Sequence, residues 1–296
     1  MQRVANRAAK SGLEWQSKVV LLLVLPWSAV DVLLQSNWWA TQAPVVAWTT
    51  LGISGIFGLV VWRLRAGTMG AAAVGATITA CLMYSTTRFP YQYSWLHGGL
   101  LPLLALFLLT FAATKIGKAK KEQLGTSEDR RGRNAAQVAA NLGLAALASV
   151  PSILDTASEK NGYWLVFLHA LAALAEAAAD TVSSEIGQVL GGQPRLLTTF
   201  RRVEPGTDGG ITFAGTAAGI LAAMIVAAVG TLAAHAGWLL FWLASSAGVF
   251  GLLFDSLLGA TLERKKWLGN DAVNFLSTLS AAVFAILAFQ LLAHAR

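Results

Sequence analysis

Apolar positions along this chain neither alternate with polar ones at the period of a strand nor recur every three or four residues as on one face of a surface helix. They come in long uncharged runs. Runs of about 18 or more such residues have the length that crosses a bilayer as a helix. Nine runs read as spans, over roughly 19–35, 43–62, 67–84, 98–114, 134–150, 162–179, 211–230, 236–257 and 272–293. The fold class this predicts is all-α, a polytopic integral membrane protein of about nine transmembrane helices forming one domain over 1–296. A basic segment, 1–18, precedes the first run as a signal peptide would. The run continues from Val19 to Leu34 past a tryptophan without a small-residue cleavage site, so it reads as a retained first span.

The charges between the runs alternate. Arg3, Arg7, Lys10 and Lys18 precede the first span, and Arg63 and Arg65 follow the second. Lys115, Lys118, Lys120, Lys121, Arg130, Arg131 and Arg133 follow the fourth. Arg195, Arg201 and Arg202 follow the sixth, and Arg264, Lys265 and Lys266 the eighth. Of the 22 Lys and Arg, only Arg88, Lys160 and Arg296 fall on the other side. The positive-inside rule then predicts a cytoplasmic N-terminus, an external C-terminus and a multi-pass protein of the bacterial inner membrane. Topology accounts for most of the +7 net charge, so nucleic acid is not an expected partner, whereas membrane lipids are. The 55% hydrophobic and 12% charged composition fits, since soluble domains carry about a quarter charged residues. Trp15, Trp38, Trp39, Trp62, Trp95 and Trp267 fall near span ends, where an aromatic belt is expected. Cys81, the one cysteine, excludes an internal disulfide, and the four scattered histidines argue against a zinc site.

The polar residues that bear on chemistry sit in three cytoplasmic segments, 115–133, 180–210 and 258–271. The first leads into Arg133, Asn134, Gln137 and Asn141, amides too deep to face lipid. The second follows AEAAADTVSSEIGQVLGG (175–192), where Glu176 and Asp180 share a helix face. Glu185 lies about 140° around from Asp180 at ~3.6 residues per turn, so both reach one metal only if the helix breaks near Ser183 and Ser184. PGTDGG (205–210) reads as a turn that can also expose N–H groups to an anion, and GTAAG (215–219) as a close helix contact. The third begins at Asp255, an acid among apolar residues, and ends at Asp271 and Asn274. Asp180, Glu185, Asp208, Asp255 and Asp271 therefore gather with Lys120, Lys121, Arg133, Arg195 and Arg201 at one membrane boundary. Hard carboxylates hold Mg²⁺ together with substrate phosphates, basic groups hold the phosphates, and apolar helices hold a lipid tail.

ADTVSSEIG, PGTDGGITFAGTAAG, FDSLLGATLE and NDAVNFLST, in that order, resemble the DUF92 family of polytopic membrane proteins, which includes a plant phytyl-phosphate kinase. The pattern departs at Val182–Ser183, where the family has a tryptophan–alanine pair, and Glu176 matches no family position. The resemblance implies transfer of a phosphoryl group from a nucleoside triphosphate, CTP or ATP, to an isoprenoid lipid monophosphate, with Mg²⁺. It carries over Asp180, Ser184, Glu185, Thr207, Gly209, Gly210, Asp255, Ser256, Gly259 and Asn274. On this expectation Asp180, Glu185 and Asp255 are the catalytic and metal-binding acids. Lys121, Arg133, Asn141, Arg195 and Asp208 join the other residues around nucleotide and phosphate. Two rivals remain: a CTP-dependent lipid cytidylyltransferase, separated by its pyrophosphate product, and a proton-coupled transporter, disfavoured by acids that gather on one side. No DDxxD run supports an Asp-rich prenyltransferase.

Overall fold

The structure is a computed structural model that describes residues 14–89, 91, 98–126, 132–147 and 160–294, without the side chains of 160–162. Arg3, Arg7, Lys10, Trp95, Arg130, Arg131 and Arg296 lie outside the described residues. Ten α-helices follow in order: α1 (Glu14–Gln42), α2 (Pro44–Arg63), α3 (Met69–Ser85), α4 (Leu100–Lys115), α5 (Lys118–Leu124), α6 (Ala135–Leu147), α7 (Lys160–Leu190), α8 (Phe213–Ala233), α9 (Trp238–Leu258) and α10 (Asn270–His294). A two-stranded antiparallel ribbon, β1 (Arg195–Leu196) and β2 (Gly210–Ile211), lies between α7 and α8, with Arg195 opposite Ile211. A π-helical turn, Gly259–Glu263, extends α9. The chain is therefore an all-α polytopic membrane protein.

Each of the nine apolar runs forms a helix. Six of these helices are long and apolar enough to cross a membrane. α4 and α5 together make a seventh candidate, bent by 64° between them, and α3 and α6 are shorter. The bend falls at Gly117, whose φ of +63° is the left-handed conformation that only glycine adopts freely.

α7 is the axis of the bundle. It is apolar and buried along most of its length, and a helix apolar all round must be enclosed by others. Its stretch from Ala170 to Ala179 is mostly alanine, which lets neighbouring backbones come close. α8 answers with glycines. A Cβ on Gly219 would sit 2.8 Å from the Ala179 carbonyl oxygen, and one on Gly215 2.6 Å from that of Ser183. GTAAG is thus the close helix contact its spacing predicts.

The basic segments converge at one end. The Thr68 N–H donates to the Arg133 carbonyl at 2.9 Å and the Arg133 N–H to that of Ala66 at 3.1 Å, joining the loops after α2 and α5. Gln16 of α1 donates to the Trp267 carbonyl and accepts from the Gly269 N–H, joining the first helix to the loop before α10. Gly209, before β2, packs on Ala260 of the π turn. The opposite end is aromatic. Tyr84 donates to the Ala47 carbonyl, the Tyr163 hydroxyl donates to that of Thr86, and the Arg88 guanidinium lies 4.0 Å over the Tyr163 ring. Here one expectation is corrected. Trp39 is not a belt residue but is buried with Val46, Ala47, Ala80 and Tyr84, because α2 and α3 close over it. Trp15, Trp38, Trp62 and Trp267 are exposed.

Candidate active site

Three acids meet inside the bundle, and one of them was left out of the expected site. Glu176 and Asp180 are one turn apart on α7, so both carboxyls leave the same face. That face meets α9 at Gly251, where a Cβ would sit 2.4 Å from Glu176 Cγ. Gly251 lies one turn before Asp255, so the missing side chain makes room for Glu176 and the next turn supplies a second carboxyl. Asp255 interacts electrostatically with both Asp180 and Glu176. α10 closes the site with Ser277, fully buried and hydrogen-bonded near both Glu176 and Asp255.

The site deepens along α7. Glu176 is 1% exposed, whereas Asp180 and Asp255 are half-buried toward the basic end. Glu176 Oε1 and Asp255 Oδ2 are buried and have no hydrogen-bond partner among the described residues. Ser277 cannot satisfy both, since its hydroxyl donates to the Asn274 carbonyl at 2.9 Å. Buried acceptors without donors are rare because each forgoes its hydration, and crowded carboxylates repel one another. Such a cluster calls for a cation. The cation present is Arg133, which interacts electrostatically with Asp180 and donates to Thr181 Oγ1 at 3.3 Å. Glu263, last in the π turn, also comes near Asp255.

Glu185 is near enough to Asp180 to interact with it electrostatically, but its carboxylate is held elsewhere. α7 runs without a break from Lys160 to Leu190, so the 140° between Asp180 and Glu185 stands. Glu185 instead forms an ion pair with Lys121, whose ammonium also donates to the carbonyls of Thr114 at 2.8 Å and Ala113 at 3.1 Å. Lys121 is 2% exposed, and its three donors are spent holding the bent α4–α5 unit to α7. The expected metal set of Asp180, Glu185 and Asp255 is therefore not assembled. Among the described residues, no three of Asp, Glu, His and Cys are placed to hold a metal ion.

The remaining expected site residues divide in the same way. Asn141 and Asn274 are joined, with Asn274 Nδ2 donating to Asn141 Oδ1 at 3.2 Å, and they bridge α6 to α10 beside Ser277. Asn134 and Gln137 form a reciprocal capping box at the start of α6. Ser184 is exposed on α7, one turn beyond Asp180 on the same face, and Ser256 donates back to the Leu252 carbonyl. PGTDGG is a turn in which the Thr207 and Gly210 donors are occupied. The Gly210 N–H donates to the Thr207 carbonyl at 3.0 Å, and Thr207 donates from both N–H and hydroxyl to the Glu204 carbonyl. Gly209 has φ +71°, and a Cβ there would lie 2.1 Å from the Ala260 nitrogen. A Cβ on Gly259 would in turn lie 2.7 Å from the Gly209 nitrogen. These glycines bring the ribbon turn onto the π turn. Asp208 is exposed at the tip of this turn, and Arg195 is exposed with its guanidinium donating to the Phe200 carbonyl at 3.0 Å. Lys120 caps the end of α7 by donating to the Val189 carbonyl.

Sequence reasoning passed over Glu176 because no family position matched it. The available signal was its four-residue spacing from Asp180 and the same spacing of Gly251 from Asp255.

Comparison with known proteins comes to the same region. The family model described as "Integral membrane protein DUF92" matches residues 52–282, which contain the four motifs and Glu176, Asp180 and Asp255. An uncharacterised membrane protein of Methanocaldococcus jannaschii is 32% identical over 222 residues, 73% of this chain and 83% of its own. One of Synechocystis is 31% identical over 215 residues, 68% of this chain and 81% of its own. The chloroplastic protein VTE6 of Arabidopsis thaliana is 32% identical over 198 residues, 65% of this chain and 59% of its own. No solved structure matches the chain significantly.

Proposed function

The chain belongs to the DUF92 family of integral membrane proteins, and from that premise we propose that it is an isoprenyl-phosphate kinase. It transfers the γ-phosphoryl group of a nucleoside triphosphate to the monophosphate of a membrane isoprenoid. The observation that carries this reading is the group Glu176, Asp180 and Asp255, buried among apolar helices, with orphaned carboxyl oxygens and Arg133 at its edge. The phytyl-phosphate kinase in the family supports the same reading.

In this reaction an acceptor phosphate oxygen attacks the donor's γ-phosphorus. The bond from that phosphorus to the β–γ bridging oxygen breaks, and the nucleoside diphosphate leaves. The acceptor is already an anion, so no general base is required, and catalysis rests on positioning and charge. The donor set fits Mg²⁺, which takes one or two carboxylates and completes its shell with waters and substrate phosphates. Asp180 and Asp255 would hold it. When bound it neutralises charge on the donor phosphates. Arg133 stabilises the negative charge that builds on the transferred group. Glu176, one turn deeper, adds its charge to the same group. The enclosing helices keep out water, which would otherwise compete for the phosphoryl group.

The test is purified protein with Mg²⁺, labelled CTP or ATP, and geranylgeranyl monophosphate. Labelled lipid diphosphate is the expected product. No diphosphate with either donor would contradict the kinase, and released pyrophosphate with a CDP-lipid would replace it by a cytidylyltransferase.

A further inference from the structure

A second cavity adjoins the acids and shares a residue with them. It lies between α2, α3, α4 and α6 and encloses about 80 Å³. Three cations, Arg65, Lys115 and Arg133, line it at the basic end. Below them its wall is almost wholly apolar, reaching down α4 through Phe107 and Leu106 to Leu103. From Lys115 to Leu103 is about 18 Å at ~1.5 Å per residue, so the cavity is a deep slot rather than a surface dimple.

Local structure places the cations. Arg65 ends α2 in the left-handed conformation, φ +54°, and turns the chain back so that Ala66 accepts from the Arg133 N–H. Two arginines are thereby held on adjacent strands of backbone. Lys115 closes α4 with its ammonium 5.0 Å over the Phe111 ring. Arg133 faces both ways, toward the slot and toward Thr181 and Asp180.

We infer that this slot is the acceptor site, and that it takes a bilayer lipid with a single chain and a terminal phosphate monoester. The head group sits among Arg65, Lys115 and Arg133, and the chain runs down α4. This rests on the kinase reading for the reaction but not for the binding. Cations above an apolar shaft match an amphiphile with an anionic head, and Arg forks and Lys point charges both suit phosphate. At about 80 Å³ the slot is narrow and has no room for the two chains of a phospholipid. Arg133 would then touch the acceptor phosphate on one side and the acid site on the other, bringing the attacking oxygen to the donor.

The experiment measures binding of geranylgeranyl monophosphate and of geranylgeraniol to the full-length protein in nanodiscs by native mass spectrometry. The double variant Arg65→Gln/Lys115→Gln is expected to lose about tenfold or more in affinity for the monophosphate, the loss of two charge-assisted contacts, and none for the alcohol. Leu106→Trp, which fills the shaft, is expected to weaken both. Asp255→Asn, outside the slot, is expected to bind the monophosphate as the wild type does and reports that the bundle is intact. Unchanged monophosphate binding in the double variant overturns the site, as does equal competition by a two-chained phosphatidate. If binding follows the expected pattern but no donor yields diphosphate, the slot stands and the kinase reading falls. If the double variant makes diphosphate with wild-type KM, the slot falls and the kinase reading stands.

Discussion

Three carboxylates lie along one helix of this protein, and the structure treats them in two ways. At one face of α7, Glu176 and Asp180 turn inward toward Asp255, and Glu176 Oε1 and Asp255 Oδ2 have no hydrogen-bond partner among the described residues. About 140° around the same helix, Glu185 is fully engaged by Lys121 and touches Thr114. A satisfied ion pair holds parts together. Unsatisfied buried acceptors await something that brings positive charge. The difference gives the two faces separate expected roles, reaction at the inward acids and support at Glu185.

Substitutions at the two faces of α7 should have different effects. The largest effect is expected at the inward face. Asp180→Asn or Asp255→Asn should lower diphosphate formation by about 100-fold or more, as losing one electrostatic group at a reaction centre does, with thermal unfolding little changed. Turnover within twofold of wild type in either variant would remove the acids from the site. Glu176→Gln keeps shape and burial and should lower turnover by about tenfold to 100-fold, the effect of a group beside those that hold the metal. A Glu176→Gln enzyme of full activity would show the deepest acid to be passive.

Next comes the outward face. Lys121→Met leaves Glu185 and two carbonyls without their donor and should destabilise the protein by about 3 kcal/mol in detergent unfolding. The double variant Lys121→Met/Glu185→Leu should recover most of that loss, because removing both partners leaves no unpaired charge. Failure to recover would mean that Glu185 has work beyond the pair. The smallest effect is expected at the ribbon turn. Gly209→Ala demands a strained φ and meets the Ala260 backbone, which should destabilise by about 1–3 kcal/mol while the KM for nucleotide stays unchanged. A raised KM with unaltered stability would place nucleotide phosphate at the turn instead.

The fold was largely legible in the sequence, because lipid forces each span to be a continuous apolar run. Charge alternation likewise anticipated that the basic segments meet at one end. The bend between α4 and α5 and the short α6 were not legible, since both depend on neighbours that pack against them. Within the site, the sequence pointed to Asp180 and Asp255 through an acid in an apolar setting. It also posed the question of a helix break at Ser183 and Ser184, which the unbroken α7 answers. The fate of Glu185 was hidden because its partner is 64 residues away, and spacing along a chain does not report such a pair. Trp39 was misread for the same reason: closeness to a span end says nothing about which neighbour covers the ring. Glu176 was visible on the face of Asp180 and was set aside for want of a family match, where helical geometry was the better guide.

The most direct test of the division along α7 is single-turnover formation of labelled geranylgeranyl diphosphate by Asp180→Asn and Glu185→Gln, assayed side by side below the unfolding temperature of each. The account predicts that the Asp180→Asn rate falls by about 100-fold or more while Glu185→Gln keeps the wild-type rate within a few-fold and loses only stability. Equal loss of rate in both variants, with both proteins folded, would contradict it.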